Sequence, residues 1–263
     1  MDVFETSRRG AALLKNILTT RLQNFCAFSE REHDALDQLI ANERGLAARQ
    51  DLASMGDAPG KIFIILDGWA CRYKELEDGR RQIVAVMLPG DICDLNALVL
   101  QEIDHSMGAL SDVRFVRAEV DAVDRLMTDF PRIRRALLWH ENVTISTQRE
   151  WTLNLGQRSA IERVAHLLVE LFHRLRSVGL TQGDSCEFPI TQSDIADTTG
   201  LTPVHTNRML QELRASGAIA LAGRRLTVPH LPTLERIAAF EPSYLHLGRK
   251  GAPFDAPRMA SVN

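Results

Sequence analysis

Residues 190–228 read ITQSDIADTTGLTPVHTNRMLQELRASGAIALAGRRLTV, and this stretch decides the fold of the C-terminal third. Thr191, with Asp194 three residues on, has the spacing of a capping box, so a helix starts there. Ala196 is small enough for a second helix to cross close by, and Gly200 permits the positive φ of a tight inter-helix turn. Leu201 then plugs the core beneath that turn. Thr202-Pro203 opens a second helix with an N-cap hydroxyl and a proline at the first helical position, where its missing N–H costs nothing. Ile195, Met209, Leu210 and Leu213 fall on one buried seam. Val204, His205, Asn207 and Arg208 are left facing outward from the second helix's first turns. Residues 219–221 and 225–228 flank Ala222-Gly223-Arg224 as the arms of a short hairpin. A helix pair with a basic hairpin behind it is expected to be a winged helix-turn-helix whose outward residues reach base edges. An ordinary helical hairpin would share the seam. The agreement of caps, small residues, proline start and basic hairpin favours DNA reading over it.

The remaining bulk properties bound the answer. Across 263 residues, 31 Lys+Arg face 34 Asp+Glu, for a formal charge of −3. That balance argues against indiscriminate coating of nucleic acid, but not against a specific reader whose positive charge is local. No apolar run approaches the length of a membrane span, and residues 1–16 (MDVFETSRRGAALLKN) lack the apolar core of a signal peptide, so a cytoplasmic location is expected. Cys26, Cys71, Cys93 and Cys186 are too far apart for a zinc knuckle or a local iron–sulfur run, so no metal and no cofactor is expected. Cys71 and Cys93 lie in apolar, strand-like contexts typical of free, buried cysteines. The histidines are scattered, and no Ser-His-Asp set, paired carboxylates or phosphate loop is legible, so the chain is not expected to be an enzyme.

Before the reading unit, residues 11–45 are expected to be helical, with Leu13, Leu14, Ile17 and Leu18 on one stripe and Leu36, Leu39 and Ile40 on another. Ser29 with Glu32 marks a helix start. From about Gly45 the period changes. Residues 62–66, 69–74, 82–88 and 113–120 read as strands, with turns at Asp67-Gly68, Glu77-Asp78-Gly79-Arg80 and Pro89-Gly90-Asp91. Short strands at this spacing predict a small β-roll. Residues 121–130 turn helical, and 131–157 form a long helix loosened at Gly156. Its apolar side carries Ile133, Leu137, Leu138, Ile145, Trp151 and Leu155. Glu141, Thr144 and Gln148 interrupt it, so it is not a leucine zipper but a helix shared between the β-roll and a second copy of the chain. Ser159 caps a helix over 160–176, residues 179–187 read as a polar loop, and Leu234, Ile237 and Ala238 suggest a short closing helix.

This α+β order of β-roll, long connecting helix and winged helix-turn-helix resembles the Crp/Fnr superfamily of bacterial transcription regulators, from about residue 20 to 236. The most specific stretches are residues 191–210 (TQSDIADTTGLTPVHTNRML), Asp78-Gly79-Arg80-Arg81-Gln82-Ile83 and Leu88-Pro89-Gly90-Asp91-Ile92. The resemblance implies an effector-sensing domain over 11–127, a connecting and dimerisation helix over 128–157 and a DNA-binding domain over 158–236, while the tail over 241–263, with Gly251, Pro253 and Pro257, is expected to be disordered. It also implies a homodimer on a pseudo-palindromic operator in double-stranded DNA, RNA polymerase as a partner, and a small-molecule effector of unidentified chemistry. Members that bind cyclic AMP carry a Gly-Glu pair and, downstream, an arginine that pairs with the phosphate. Here the corresponding stretch runs from Gly90-Asp91 to Asp104-His105-Ser106-Met107, and histidine is a poor substitute for a guanidinium fork. Binding of cyclic AMP in the usual way is therefore not expected. Asp91, His105, Ser106, Gln148 and Arg149 are the effector-pocket candidates. Many members present glutamate at the position of Val204 and serine or glycine at Asn207, but keep arginine at Arg208. Arg208, which can grip guanine O6 and N7, is the principal expected base reader, with Asn207, His205 and Val204 beside it. Thr191, Gln192, Ser193, Thr202, Arg224 and Arg225 are the expected phosphate contacts. An alternative is a ligand-binding signalling module whose helix-turn-helix contacts protein rather than DNA.

Overall fold

The five consecutive apolar residues within strand β3 (Lys61–Asp67) are all buried, so this strand is covered on both faces. The computed structural model describes residues 16–247. In it β3 lies within an antiparallel sheet of order β1 (Glu43–Leu46), β8 (Val113–Glu119), β3, β6 (Ile92–Cys93). A second sheet has the order β2 (Asp51–Ala53), β7 (Ser106–Ala109), β4 (Ala70–Glu75), β5 (Arg81–Met87). Phe63 and Ile65 meet Phe115, Ala70, Met87 and Met107 between the sheets. Ile62 and Ile64 point the other way, under α1 (Ile17–Leu22), α2 (Glu30–Leu39), α3 (Val120–Asp129) and α4 (Pro131–Gln157). The strand period of two places each residue on one side or the other.

The expected helix over 11–45 is corrected at its end, because Glu43–Leu46 pairs with β8 as strand β1. Its residues are largely exposed, so no apolar periodicity announces a strand whose pairing partner lies some seventy positions away. Residues 11–15 lie outside the described residues. The expected polar loop over 179–187 is likewise two short strands, β9 (Thr181–Gln182) and β10 (Ser185–Glu187). They join β12 (Arg225–Thr227) and β11 (Ala220–Ala222) in one four-stranded sheet. The helices of this region are α5 (Ala160–Ser177), opened by the Ser159/Glu162 capping box, α6 (Gln192–Thr199), α7 (Pro203–Ala215) and α8 (Leu231–Ile237).

The outer face of the second β-roll sheet and the C-terminal region share one core. Trp69, Cys71, Ile83, Val86 and Leu88 cluster with Val164, Leu168, Phe172, Leu175 and Phe188, and the Trp69 and Phe188 rings meet edge to face at 5.3 Å. A carboxylate fastens the same junction. Asp91 lies 2.8 Å from Arg21 of α1 and 2.7 Å from Arg174 of α5, all three side chains being buried. Arg174 also donates to Val86 O at 2.8 Å, and the Leu88 N–H donates to Asp91 at 2.8 Å. Burial alone would raise the Asp91 pKa, but the two guanidiniums hold it well below the usual carboxylate range. Gly90 precedes it at φ +90, where a Cβ would stand 2.9 Å from Ile17 O and from the Arg21 Cβ, so only glycine lets α1 sit on this turn.

The chain after α8 is not free at residue 241, contrary to the expected tail. Pro242–Leu245 forms a 3₁₀ turn in which Leu245 is buried and the Tyr244 hydroxyl donates to Glu170 at 2.8 Å. Residues 248–263 of that expected tail lie outside the described residues. Among the described residues no helix is long and apolar enough to cross a membrane.

His140, buried in α4, accepts the Ile92 N–H on Nε2 at 3.1 Å, which requires a neutral ring. Burial lowers its pKa to about 4, against the attraction of Asp91. A histidine whose pKa falls on folding takes up its proton first in the unfolded chain, so stability declines as pH drops from about 6.5 towards the folded value. Urea unfolding of His140→Gln, whose side-chain oxygen can accept the same N–H, is expected to lose about 2 kcal/mol less stability between pH 7 and pH 4.5 than the parent.

Candidate nucleic-acid interface

Helix α6 begins at Thr191, whose hydroxyl accepts the Asp194 N–H at 3.2 Å while Asp194 accepts the Thr191 N–H at 2.8 Å. It ends at Gly200 with φ 64 and ψ 35, the left-handed turn expected from the sequence. Thr202 then caps α7 by accepting the His205 N–H at 3.2 Å, with Pro203 following. Thr206, Met209, Leu210 and Leu213 are buried. Val204 is 83% exposed, and Asn207 and Arg208 also face outward, so three of the four expected base readers share one open face. An isolated valine this exposed contributes nothing to its own domain's core. Gln211, one turn further along that face, is exposed as well; its i+3 spacing from Arg208 could have marked it in the sequence. His205 is half-buried, and its Nε2 lies 3.0 Å from Arg208 Nη2. It therefore orients the guanidinium by accepting from it rather than standing free as a reader.

The expected phosphate contacts divide. Gln192 and Ser193 are exposed at the start of α6. Thr202 uses an acceptor lone pair in its cap, which leaves its O–H free to donate to a phosphate. Thr191 is different. Its hydroxyl donates to Asp194 at 2.7 Å, accepts the Asp194 N–H, and is approached by Arg49 Nη2 at 3.4 Å. No proton is left for a phosphate in this arrangement, which corrects that expectation. The wing turn is Gly223-Arg224, at φ 57 and φ 59, the positive pair that a two-residue type I′ hairpin requires. Arg225 is exposed and donates to Gln182 at 3.1 Å. Arg224 borders a cleft between the β-roll and the wing that also holds Asp67, Asp112 and Glu187.

Two arginines of the β-roll hold α6 in place; Arg49 had no signal in the sequence, and Arg81 stood out only as part of the Asp78–Ile83 stretch. Arg49, in the β1–β2 turn, reaches Asp194 at 2.7 and 2.9 Å. Arg81, on β5, reaches Asp194 at 3.2 Å and Asp197 at 2.9 Å, and Gln82 donates to Thr198 O at 3.2 Å. Burial would raise the Asp194 pKa, but the Arg49 and Thr191 hydrogen bonds lower it overall.

The effector candidates do not form one site. Asp91 and Gln148 border a cavity between β5 and α4, but the Asp91 carboxylate is spent on Arg21 and Arg174, so it is a structural group and not a ligand-binding one. His105 faces Asp94 at 3.0 Å and Asp104 at 2.8 Å instead. Ser106 accepts the Met55 N–H at 3.0 Å, away from the cavity. Arg149 is exposed and is absent from the cavity wall. All four cysteines are free and buried; burial pushes the Cys26 thiol up to about 11, and Cys71 and Cys186 up to about 12. Among the described residues no group of His, Cys, Asp and Glu could hold a metal ion. Replacing Arg81 by alanine is expected to speed amide exchange across Gln192–Thr199 by an amount equivalent to about 1 kcal/mol or less, and high salt should shrink the difference, with β3 unaffected.

Two family models match the chain in the order of its architecture. A cyclic nucleotide-binding domain covers residues 43–130, and a Crp-like helix-turn-helix domain covers residues 162–237. The chain is 28% identical over 203 residues to the transcriptional activator protein FnrL of Cereibacter sphaeroides, covering 76% of this chain and 81% of that protein. It is 27% identical over 232 residues to the nitrogen fixation regulation protein FixK of Bradyrhizobium diazoefficiens, covering 88% and 91%. The structure of FixK2 from Bradyrhizobium japonicum superposes with a TM-score of 0.69 at 24% identity, over 76% of this chain and 98% of that one, which shows the shared fold. With a nucleotide-binding-type roll, a connecting helix and a Crp-like reading unit in this order, the chain belongs to the Crp/Fnr superfamily of DNA-binding transcription regulators.

Proposed function

We propose that the chain reads an inverted-repeat operator as a homodimer, with α7 entering the major groove and the outward side of α4 forming the seam between copies. The exposed face of Val204, Asn207 and Arg208 on a helix whose other side is fully committed to the core carries this reading. Arg208 reads guanine, Asn207 reads adenine, and Val204 touches a thymine methyl. Gln192, Ser193, Thr202 and the wing's Arg225 supply phosphate contacts. On α4, Ile133, Leu137, His140, Val143 and Trp151 are buried within the protomer, whereas Leu138, Ile145 and Leu153 remain 50%, 37% and 48% exposed. Apolar residues at steps of seven and eight on the outside of one long helix suit a parallel partner helix. In such a dimer the two reading helices lie about 34 Å apart, one turn of DNA. The roles of the three segments follow: a β-roll over 43–130 that sets the geometry, α4 as the dimer helix, and the unit beyond Ser159 as the reader. The name of the FnrL relative supports activation of transcription, and with it a contact to RNA polymerase.

Selection of the purified protein against random duplexes should recover an inverted repeat. Arg208→Ala should lose about 1–3 kcal/mol of binding and relax preference at one base pair in each half-site. An unchanged preference at every position would remove Arg208 from the reading set. Ile145→Asp should shift the chain from dimer to monomer in sedimentation analysis and abolish high-affinity binding to the full repeat, while its circular dichroism stays that of the parent. A helix-turn-helix that contacted only protein would show no salt-dependent binding to any duplex.

A further inference from the structure

Asp94 is the most unusual residue of the β-roll. It is a buried non-glycine residue in the left-handed region, at φ 64 and ψ 45. Aspartate tolerates this conformation better than most residues, yet it still carries strain. What the strain secures is the position of a carboxylate. One oxygen, Oδ1, lies 3.2 Å from Arg72 Nε and 3.0 Å from His105 Nε2, and the three side chains are 2%, 10% and 8% exposed. Arg72 comes from β4 and His105 from the edge of β7, so a guanidinium and an imidazole from neighbouring strands converge on a single buried oxygen. None of Arg72 Nε, His105 Nε2 and the two Asp94 oxygens has a well-directed hydrogen bond. The trio is held by charge more than by hydrogen-bond direction.

We infer that Arg72 and His105 form an anion-binding site of the β-roll and that Asp94 is its resident occupant, a carboxylate of the chain itself in the place of a small phosphate- or carboxylate-bearing ligand. Space agrees with charge. Arg72 also borders the cavity between β5 and α4, which has a volume of about 40 Å³, against roughly 300–1,000 Å³ for pockets that hold organic ligands. An ordinary nucleotide does not fit. Only a small anion could take the place of the Asp94 carboxylate once it is withdrawn. With its anion built in, the β-roll keeps the 94–106 segment tied to β4 without any effector, and this goes beyond DNA reading and does not depend on it.

Inorganic phosphate is the probe. The parent protein should show no phosphate-dependent change in melting temperature at 10 mM. Asp94→Ala should gain a rise of about 3 °C at that concentration, and adding Arg72→Gln to it should erase the gain. Asp94→Gly also removes the side chain and adopts the left-handed region without strain, so it should gain the same response if the alanine variant folds poorly. A parent that responds as strongly as the variants overturns the proposal, as does a folded Asp94→Gly that does not respond. A third measurement needs no variant. His105 is faced by Asp94 and Asp104, by Arg72 and Lys74 of β4, and, across Arg72, by Glu141 of α4. Burial acts to lower the His105 pKa, but the Asp94 and Asp104 contacts outweigh it and raise it. Its ring should titrate above the ordinary histidine value by NMR, and a value at or below that overturns the assignment.

Discussion

The buried carboxylate of Asp91 is the constraint on which the other contacts depend. It neutralises Arg21 from the N-terminal helix and Arg174 from the first helix of the reading unit, while its own turn accepts the weight of α1 on Gly90. Without it Arg21 would lose its ion-pair partner at that depth and Arg174 would keep only Glu170, and stranding one partner of a buried ion pair costs about 3–5 kcal/mol. Three segments far apart in sequence therefore meet at one residue. The Arg174 side of the knot extends through Glu170 to the Trp151 indole of α4 and the Tyr244 hydroxyl, so the long helix and the last turn of the described chain are drawn in as well.

That knot explains why the reading unit is not an appendage. Its first helix shares a core with the outer face of the β-roll, and its reading pair is tied down by Arg49 and Arg81. A helix-turn-helix fixed on one side to a roll and on the other to the long helix α4 presents α7 at a set angle. In the proposed dimer the spacing of two such helices is then set by the packing between copies rather than by a flexible hinge. Partly exposed ion pairs such as Arg81–Asp197 contribute little stability individually, so their consequence is orientation more than folding free energy.

The two buried aspartates near the roll's edge also illustrate how position decides chemistry. Asp91 and Asp94 are three residues apart, and each faces two basic side chains. Asp91 joins segments from different parts of the chain, with directed hydrogen bonds from backbone and side chain. Asp94 sits between two side chains of the roll, in strained backbone, and lacks those bonds.

Local chemistry in the sequence determined a good deal. The capping boxes at Thr191 and Ser159, the left-handed Gly200, the Thr202-Pro203 helix start and the Met209, Leu210, Leu213 seam were all legible, because each rests on interactions within a few residues. So was the outward set of Val204, Asn207 and Arg208, since helical geometry places a residue opposite a known buried one. Strands β1, β9 and β10 were not legible, because polar strands too short for a periodic pattern acquire their identity only from a distant partner. The same holds for charge. Only the tertiary structure decided that Asp91 would anchor two arginines rather than line a pocket, that Thr191 would spend its hydroxyl on Asp194, and that Tyr244 would fold back on Glu170. Local spacing specifies which groups can cap, turn or face outward, but a long-range ion pair depends on which desolvated charges the packed core brings together.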